Sequence, residues 1–380
     1  MKARTLVMIV SFFAIYAAIT AYIGWNGWML LSELTGWEAW PAYAVVVAFV
    51  ALAYILGRFG QSSALRIIAD PVKLIGSYWF ALVQYGLLLL PIADLTALAL
   101  KLAGAGRDVY LVGVGGVTAL LLFFILVHGT RNAWSPVIRR YDVTIAKPAR
   151  NRSKLTIAVA SDLHLGTVIG HNHLNRLIAK VNEIKPDIIL IPGDVLDDDL
   201  EPFLRKGLAA TFSKLKAPLG VYAVTGNHEY IGRKVPEYVS EMETIGVHVL
   251  MDETAVVDDS FILIGRKDKA ADGGGQGKRQ SIAELVEPLD DSMPLILLDH
   301  QPLELNAAEE SGIDLSLSGH THRGQMMPNH LITKKVFELD WGYKRKGKLH
   351  AIVSSGFGFW GPPVRIGSRS EVLHVEVNFS

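Results

Sequence analysis

Hydrophobic and polar positions divide the chain into two unlike stretches. Up to about residue 130 apolar side chains run almost unbroken, and four segments, 5–32, 39–57, 74–93 and 109–130, contain no Asp, Glu, Lys or Arg. Each is close to or above the roughly 20 residues a helix needs to cross hydrocarbon. One such run would fit a buried core helix; four in succession predict a four-helix transmembrane region. The first is too long for the apolar core of a cleaved signal and has no small-residue cleavage site before the second, so it reads as a retained helix.

From residue 155 the pattern becomes a short apolar run, a polar turn and an amphipathic helix, repeated. Strands are predicted at 155–160, 187–192, 221–225, 247–251, 261–264, 295–298, 315–318, 351–354 and 372–377, with helices at 173–184, 201–215 and 236–245. Strands that are apolar throughout are buried on both faces, which indicates an α/β domain. The intervening stretch is basic and carries one further predicted strand at 137–145. The expected organisation is therefore 1–130 transmembrane, 131–154 juxtamembrane connector and 155–380 globular domain.

Charge adds an orientation. Lys2, Arg4, Arg58, Arg66, Lys73, Arg131, Arg139 and Arg140 fall on one side of the predicted spans, against Lys101 and Arg107 on the other. Eight against two places both termini and the globular domain in the cytoplasm, as a multi-pass protein of the cell membrane. Trp25, Trp28, Trp37 and Trp40 crowd the first outer loop as an interfacial belt would. The main polar residues inside the spans, Asn26 and Gln84, are not ionisable, which favours an anchor over an ion pathway. Zero net charge and a pI near 7.2 leave no footprint of nucleic-acid binding. The chain has no cysteine, so disulfides, a thiolate nucleophile and cysteine-ligated metals are excluded, and any metal site must use His, Asp, Glu or Asn.

Those residue types gather at the ends of the predicted strands. Ser161-Asp162-Leu163-His164, Gly193-Asp194, Gly226-Asn227-His228-Glu229, Asp299-His300 and Gly319-His320-Thr321-His322 each follow an apolar run. Ligand sites in open α/β sheets form at the carboxyl ends of strands, so the five clusters should converge. Carboxylate and amide oxygens mixed with imidazoles suit Mn, Fe or Zn. Two metals about 3.5–4 Å apart can clamp a phosphoryl group and activate water. Asp194, following a glycine at its strand end, is the natural bridge. The remaining histidines, among them His128, His171, His173, His248, His330, His350 and His374, read as structural. The glycine-rich stretch 270–280 superficially resembles a phosphate loop, but Asp272 stands where the first glycine belongs and Arg279 where Ser or Thr is required; it reads as a mobile loop. Of Asp197, Asp198 and Asp199, most read as a charged helix start.

Taken together, Asp162-x-His164, Gly193-Asp194, Gly226-Asn227-His228-Glu229, His300 and Gly319-His320-x-His322 resemble the calcineurin-like metallophosphoesterase superfamily over about 155–378. The resemblance implies an αββα sandwich of two mixed sheets. It implies one metal on Asp162, His164, Asp194 and His322, and a second on Asp194, Asn227, His300 and His320. It makes Asn227 and His228 catalytic, with His228, held by Glu229, contacting the phosphate and stabilising or protonating the leaving oxygen. The stretch His300-Gln-Pro302 followed by Gly319-His-Thr-His-Arg-Gly-Gln325 is similar to the membrane-associated bacterial branch that includes UDP-diacylglucosamine pyrophosphohydrolases and broad phosphodiesterases; there Arg323 replaces an expected glycine. The implied activity is hydrolysis of a phosphomonoester, phosphodiester or pyrophosphate of a small-molecule, lipid-linked or nucleotide-linked substrate. A membrane signalling or scaffold protein with a degenerate module would lack ligands, and none is missing.

Overall fold

A computed structural model describes residues 3–60, 66–273 and 277–380; Lys2, the side chain of Arg66 and residues 274–276 of the glycine loop lie outside the described residues. The chain forms two compact units, 1–130 with 361–364, and 131–360 with 365–380.

The first unit holds four helices long and apolar enough to cross a membrane: α1 (Ala3–Thr35), α2 (Trp40–Gly60), α3 (Arg66–Leu102) and α4 (Val114–Trp134), the last preceded by a π-helical turn at Val109–Gly113. The second and third cross closely. A Cβ on Gly57 would lie 2.5 Å from the backbone nitrogen of Lys73, and one on Gly76 2.5 Å from the Cα of Tyr54. Small residues at a crossing let backbones approach where no hydrophobic force separates helix from lipid. The third helix outruns the predicted span and includes Asp94, which accepts a hydrogen bond from the Tyr22 hydroxyl.

The second unit contains two six-stranded sheets. The first is built from β1 (Val137–Ile145), β2 (Lys154–Val159), β3 (Ile188–Pro192), β4 (Val221–Val224), β5 (Val247–Val249) and the last strand, β12 (Glu371–Phe379), in the order β1-β12-β2-β3-β4-β5. The other contains β6 (Glu253–Val257), β7 (Phe261–Gly265), β8 (Leu295–Leu298), β9 (Leu315–Ser318), β10 (Gly342–Lys346) and β11 (Leu349–Val353), in the order β10-β11-β9-β8-β7-β6. Both are mixed: β2 to β5 run parallel, as do β7, β8, β9 and β11, with antiparallel pairings at β12–β2, β10–β11 and β6–β7. Residues 137–145, read from sequence as part of a connector, pair along their whole length with β12.

Alternation along each strand explains the layering, because successive side chains point to opposite faces. Ile157, Val159, Ile188 and Leu190 face Leu263, Ile296, Leu298 and Leu317 in one core between the sheets. Their neighbours Ala158, Ile189 and Ile191 face outward onto Leu177, Val181, Phe212 and Tyr238. On the far side Ile262, Ile264 and Leu297 pack under Ile282, Leu285 and Leu305. Two sheets flanked by helices make the α/β sandwich that the resemblance implies. The predicted helix 201–215 is two pieces, Leu200–Arg205 and Leu208–Phe212, interrupted at Gly207, whose φ of 63° lies in the left-handed region.

Candidate metal centre

The five clusters meet where the parallel strands of both sheets end. The loops after β2 and β3 are zipped together: the amides of Asp162, His164 and Leu165 donate to the carbonyls of Gly193, Asp194 and Val195 at 3.1, 3.1 and 2.8 Å. Asp162, His164, Asp194, His320 and His322 all have φ between 47° and 70°. A side chain in that region costs on the order of 1 kcal/mol, and such residues gather where function requires them.

Two donor sets result. In one, His164 Nε2 and His322 Nε2 stand 3.0 Å apart, with Asp162 Oδ1 3.5 Å from the latter. In the other, His300 Nε2 lies 3.0 Å from Asp194 Oδ2 and 3.2 Å from Asn227 Oδ1, and His320 Nδ1 lies 2.9 Å from the same Asn227 oxygen. His300 donates its Nδ1–H to the Pro192 carbonyl at 2.8 Å. That bond orients the ring and turns Nε2 into the cluster, the arrangement of a metal-binding imidazole. Triads able to hold an ion are Asp162–His164–His322, His164–Asp194–His228 and Asp194–His300–His320, so Asp194 belongs to two.

The donor set fits divalent cations. Asp162 Oδ2 and His164 Nδ1 are buried without a hydrogen-bond partner, and bare ring nitrogens converging at about 3 Å repel unless a cation or proton lies between them. Burial drives the His164 imidazole down to about 3 and that of His322 well below its ordinary value, so both present lone pairs. Burial pushes the Asp162 carboxyl up to about 6. At Asp194 burial opposes ionisation, but the surrounding imidazoles, His300 foremost, hold its carboxyl below the usual range.

Two glycines admit this convergence. A Cβ on Gly319 would collide with Asp162 Oδ2 and lie 2.5 Å from Ser161 Oγ, and one on Gly193 would lie 2.6 Å from His300 Nδ1.

His228 has a different holder from the one the resemblance implies. Its Nδ1 is 2.6 Å from Asp198 Oδ1. Burial disfavours its charge, yet Asp198 and the nearby Asp194 raise it to about 9. Glu229 turns away: Oε2 accepts from the amides of Gly226 and Asp194 at 2.7 and 3.2 Å, and Oε1 from Leu196 at 2.9 Å. Adjacent positions on a helix point about 100° apart, so Glu229 braces the Asp194 loop. The neighbouring Asp199 caps the helix Leu200–Arg205.

Sequence reading missed Arg365. It is fully buried, donates to the Gly358 carbonyl at 2.6 Å, and lies 3.2 Å from His322 Nδ1; burial lowers it to about 10. No local signal marks a residue that reaches the site from so far along the chain. Arg279, at the end of the loop expected to be mobile, is buried and paired with Asp299 and Glu304 at 3.2 and 2.8 Å, beside Arg266. Arg323, with φ 52°, stacks its guanidinium 3.9 Å from the centre of the Trp341 ring.

Comparison with known proteins agrees with this geometry. A family model described as calcineurin-like phosphoesterase matches residues 155–324. The chain is 34% identical over 230 residues to a protein of Helicobacter pylori strain J99 named an uncharacterized metallophosphoesterase, covering 59% of this chain and 60% of that one. It is 29% identical over 269 residues to a Danio rerio protein named transmembrane protein with metallophosphoesterase domain, covering 68% and 60%. A metallophosphoesterase of Aquifex aeolicus is 32% identical over 246 residues, covering 63% of this chain and 91% of its own. The chain thus spans 60% of the length of the first two relatives. With these matches and that fold, the chain belongs to the calcineurin-like phosphoesterase family.

Proposed function

We propose that the protein is a membrane-anchored phosphohydrolase that depends on two divalent metals and cleaves a phosphomonoester, phosphodiester or pyrophosphate. The observation that carries this reading is Asp194, one buried carboxylate within ligand reach of His164 in one group and of His300 and His320 in another. On this reading Asp162, His164, Asp194 and His322 hold one ion, and Asp194, Asn227, His300 and His320 the other. The mixed oxygen and nitrogen donors suit Mn, Fe or Zn. Divalent ions held there supply Lewis-acid polarisation of phosphoryl oxygens and a lowered pKa for the attacking water.

The chain's own groups do the rest. The Pro192 carbonyl orients the His300 ring. Glu229 holds the Asp194 loop by three accepted bonds. His228, its Nδ1–H given to Asp198, keeps an Nε2–H that passes to the leaving oxygen, a general-acid step worth roughly 10²–10⁴-fold. The charge bias of the loops supports a cytoplasmic catalytic domain on the cell membrane, and the membrane region favours a lipid-linked or nucleotide-linked substrate.

Full-length protein assayed with manganese on aryl phosphodiesters, cyclic nucleotides and lipid pyrophosphates should turn over at least one of them. Asp194→Asn and His300→Ala should each abolish that turnover. Activity surviving in metal-free Asp194→Asn protein would refute the assignment.

A further inference from the structure

The helix His330–Val336 follows the site loop and presents an unusual face to solvent. Leu331, Ile332 and Val336 are 56, 64 and 61% exposed. At 100° per residue they span one side about 140° wide, with Lys335 between them. Lys334 flanks that side, and neither lysine has an ion pair among the described residues. Thr333, on the opposite side, donates to Asp340 at 2.7 Å and pins the helix inward. Trp360, 58% exposed, lies on a loop bound to the same segment: its amide donates to Gln325 Oε1 at 2.9 Å, and the Met327 amide donates to the Ile366 carbonyl at 2.9 Å. The helix adjoins the metal cluster, since Phe337 lies against His320 with ring centres 5.9 Å apart.

We infer that this face seats in the headgroup region of an anionic bilayer. An exposed apolar side carrying lysines, with an exposed tryptophan on a loop bonded to the segment before it, has the composition of an interfacial helix, and its lysines are drawn to an anionic surface. The occupant is also the one the chain brings with it. The fourth apolar run ends at Thr130 and β1 begins at Val137, so six residues of chain separate that run from the first strand of the catalytic unit. The inference rests on the apolar helices being membrane spans; on the proposed function, it makes a lipid-borne phosphoryl group the substrate, presented beside His320.

The chain has no cysteine, so Ile332→Cys and Val336→Cys each accept one environment-sensitive fluorophore. The full chain is reconstituted in vesicles of phosphatidylethanolamine and phosphatidylglycerol, and quenching by nitroxide-bearing lipids is compared with quenching by a water-soluble quencher. We expect lipid quenching to dominate at both sites and to exceed that of a label at Lys334→Cys. Dominant aqueous quenching in vesicle-bound protein overturns the inference while leaving the phosphohydrolase reading intact. Energy transfer between donor- and acceptor-labelled copies, in place of lipid quenching, also overturns it, by showing that a second copy covers the face. A chain that does not float with the vesicles overturns the span reading and this inference with it.

Discussion

Replacing Glu229 with Gln tests what braces the metal cluster. The carboxylate is buried and accepts three backbone N–H bonds, from Gly226, Asp194 and Leu196. Burial, with the charge of Asp194 added, pushes its pKa up to about 7, so at about pH 8 the wild-type group is an ionised acceptor. An amide at this position aims an N–H at one or two of those donors. Turned toward Leu196 it strands one amide; turned toward the other two it strands both. A stranded buried donor costs about 1–3 kcal/mol, and the bonds that remain lose their charge assistance, so a loss of roughly 2–3 kcal/mol is expected. For a domain of this size that lowers Tm by about 4–12 °C. Because Asp194 and Asn227 move with those amides, metal content should fall as well. Calorimetry and elemental analysis measure the two effects. Asp198→Asn is the contrast: its carboxylate faces His228 Nδ1 and none of those three amides, and the change should slow turnover far more than it alters metal content or Tm. If Glu229→Gln left Tm and metal content unchanged while reducing turnover alone, Glu229 would be acting on His228 and the bracing argument would be wrong.

Other expectations follow from the same geometry. Chelation should abolish turnover reversibly and lower Tm, since a ligand at about 100 times its Kd contributes about 2.7 kcal/mol; a scan with and without chelator reads this, and Asp194→Asn should erase the difference. Gly319→Ala places a methyl on Asp162 Oδ2 and should cost about 1–3 kcal/mol by overpacking, with a matching loss of bound metal by elemental analysis. Arg323→Gly relieves a positive φ, a gain of about 1 kcal/mol, and forfeits stacking on Trp341 worth about 0.5–2 kcal/mol. Its Tm should stay within about 4 °C of wild type; a larger fall would make that stack a structural support.

Much of this was legible in the chain because the central strands are buried on both faces. Their apolar runs stood out, and the polar clusters that end them could be read as one site before any contact was known. The edge strands of the second sheet were not legible in the same way. Glu253–Val257 and Gly342–Lys346 have charged, solvent-facing positions, and no apolar run marks them as strands. Side-chain partnerships were harder still. The family resemblance implied Glu229 for His228, whereas the fold brings Asp198 across from another loop. Arg365 reaches His322 from 43 residues away, a contact set by the path of the connection from β11 to β12 and by nothing in its local pattern.

The position of β12 sets the timetable of synthesis. This strand lies between β1 and β2 and hydrogen-bonds to both, yet it is the last of the domain to be made. By the time it appears, all four apolar helices and the eleven earlier strands have been translated. Until then β1 and β2 each keep an unpaired edge, a template for mispairing with other nascent chains. The growing chain must therefore keep that sheet open until β12 emerges, and the pairing of β12 with β1 and β2 closes it.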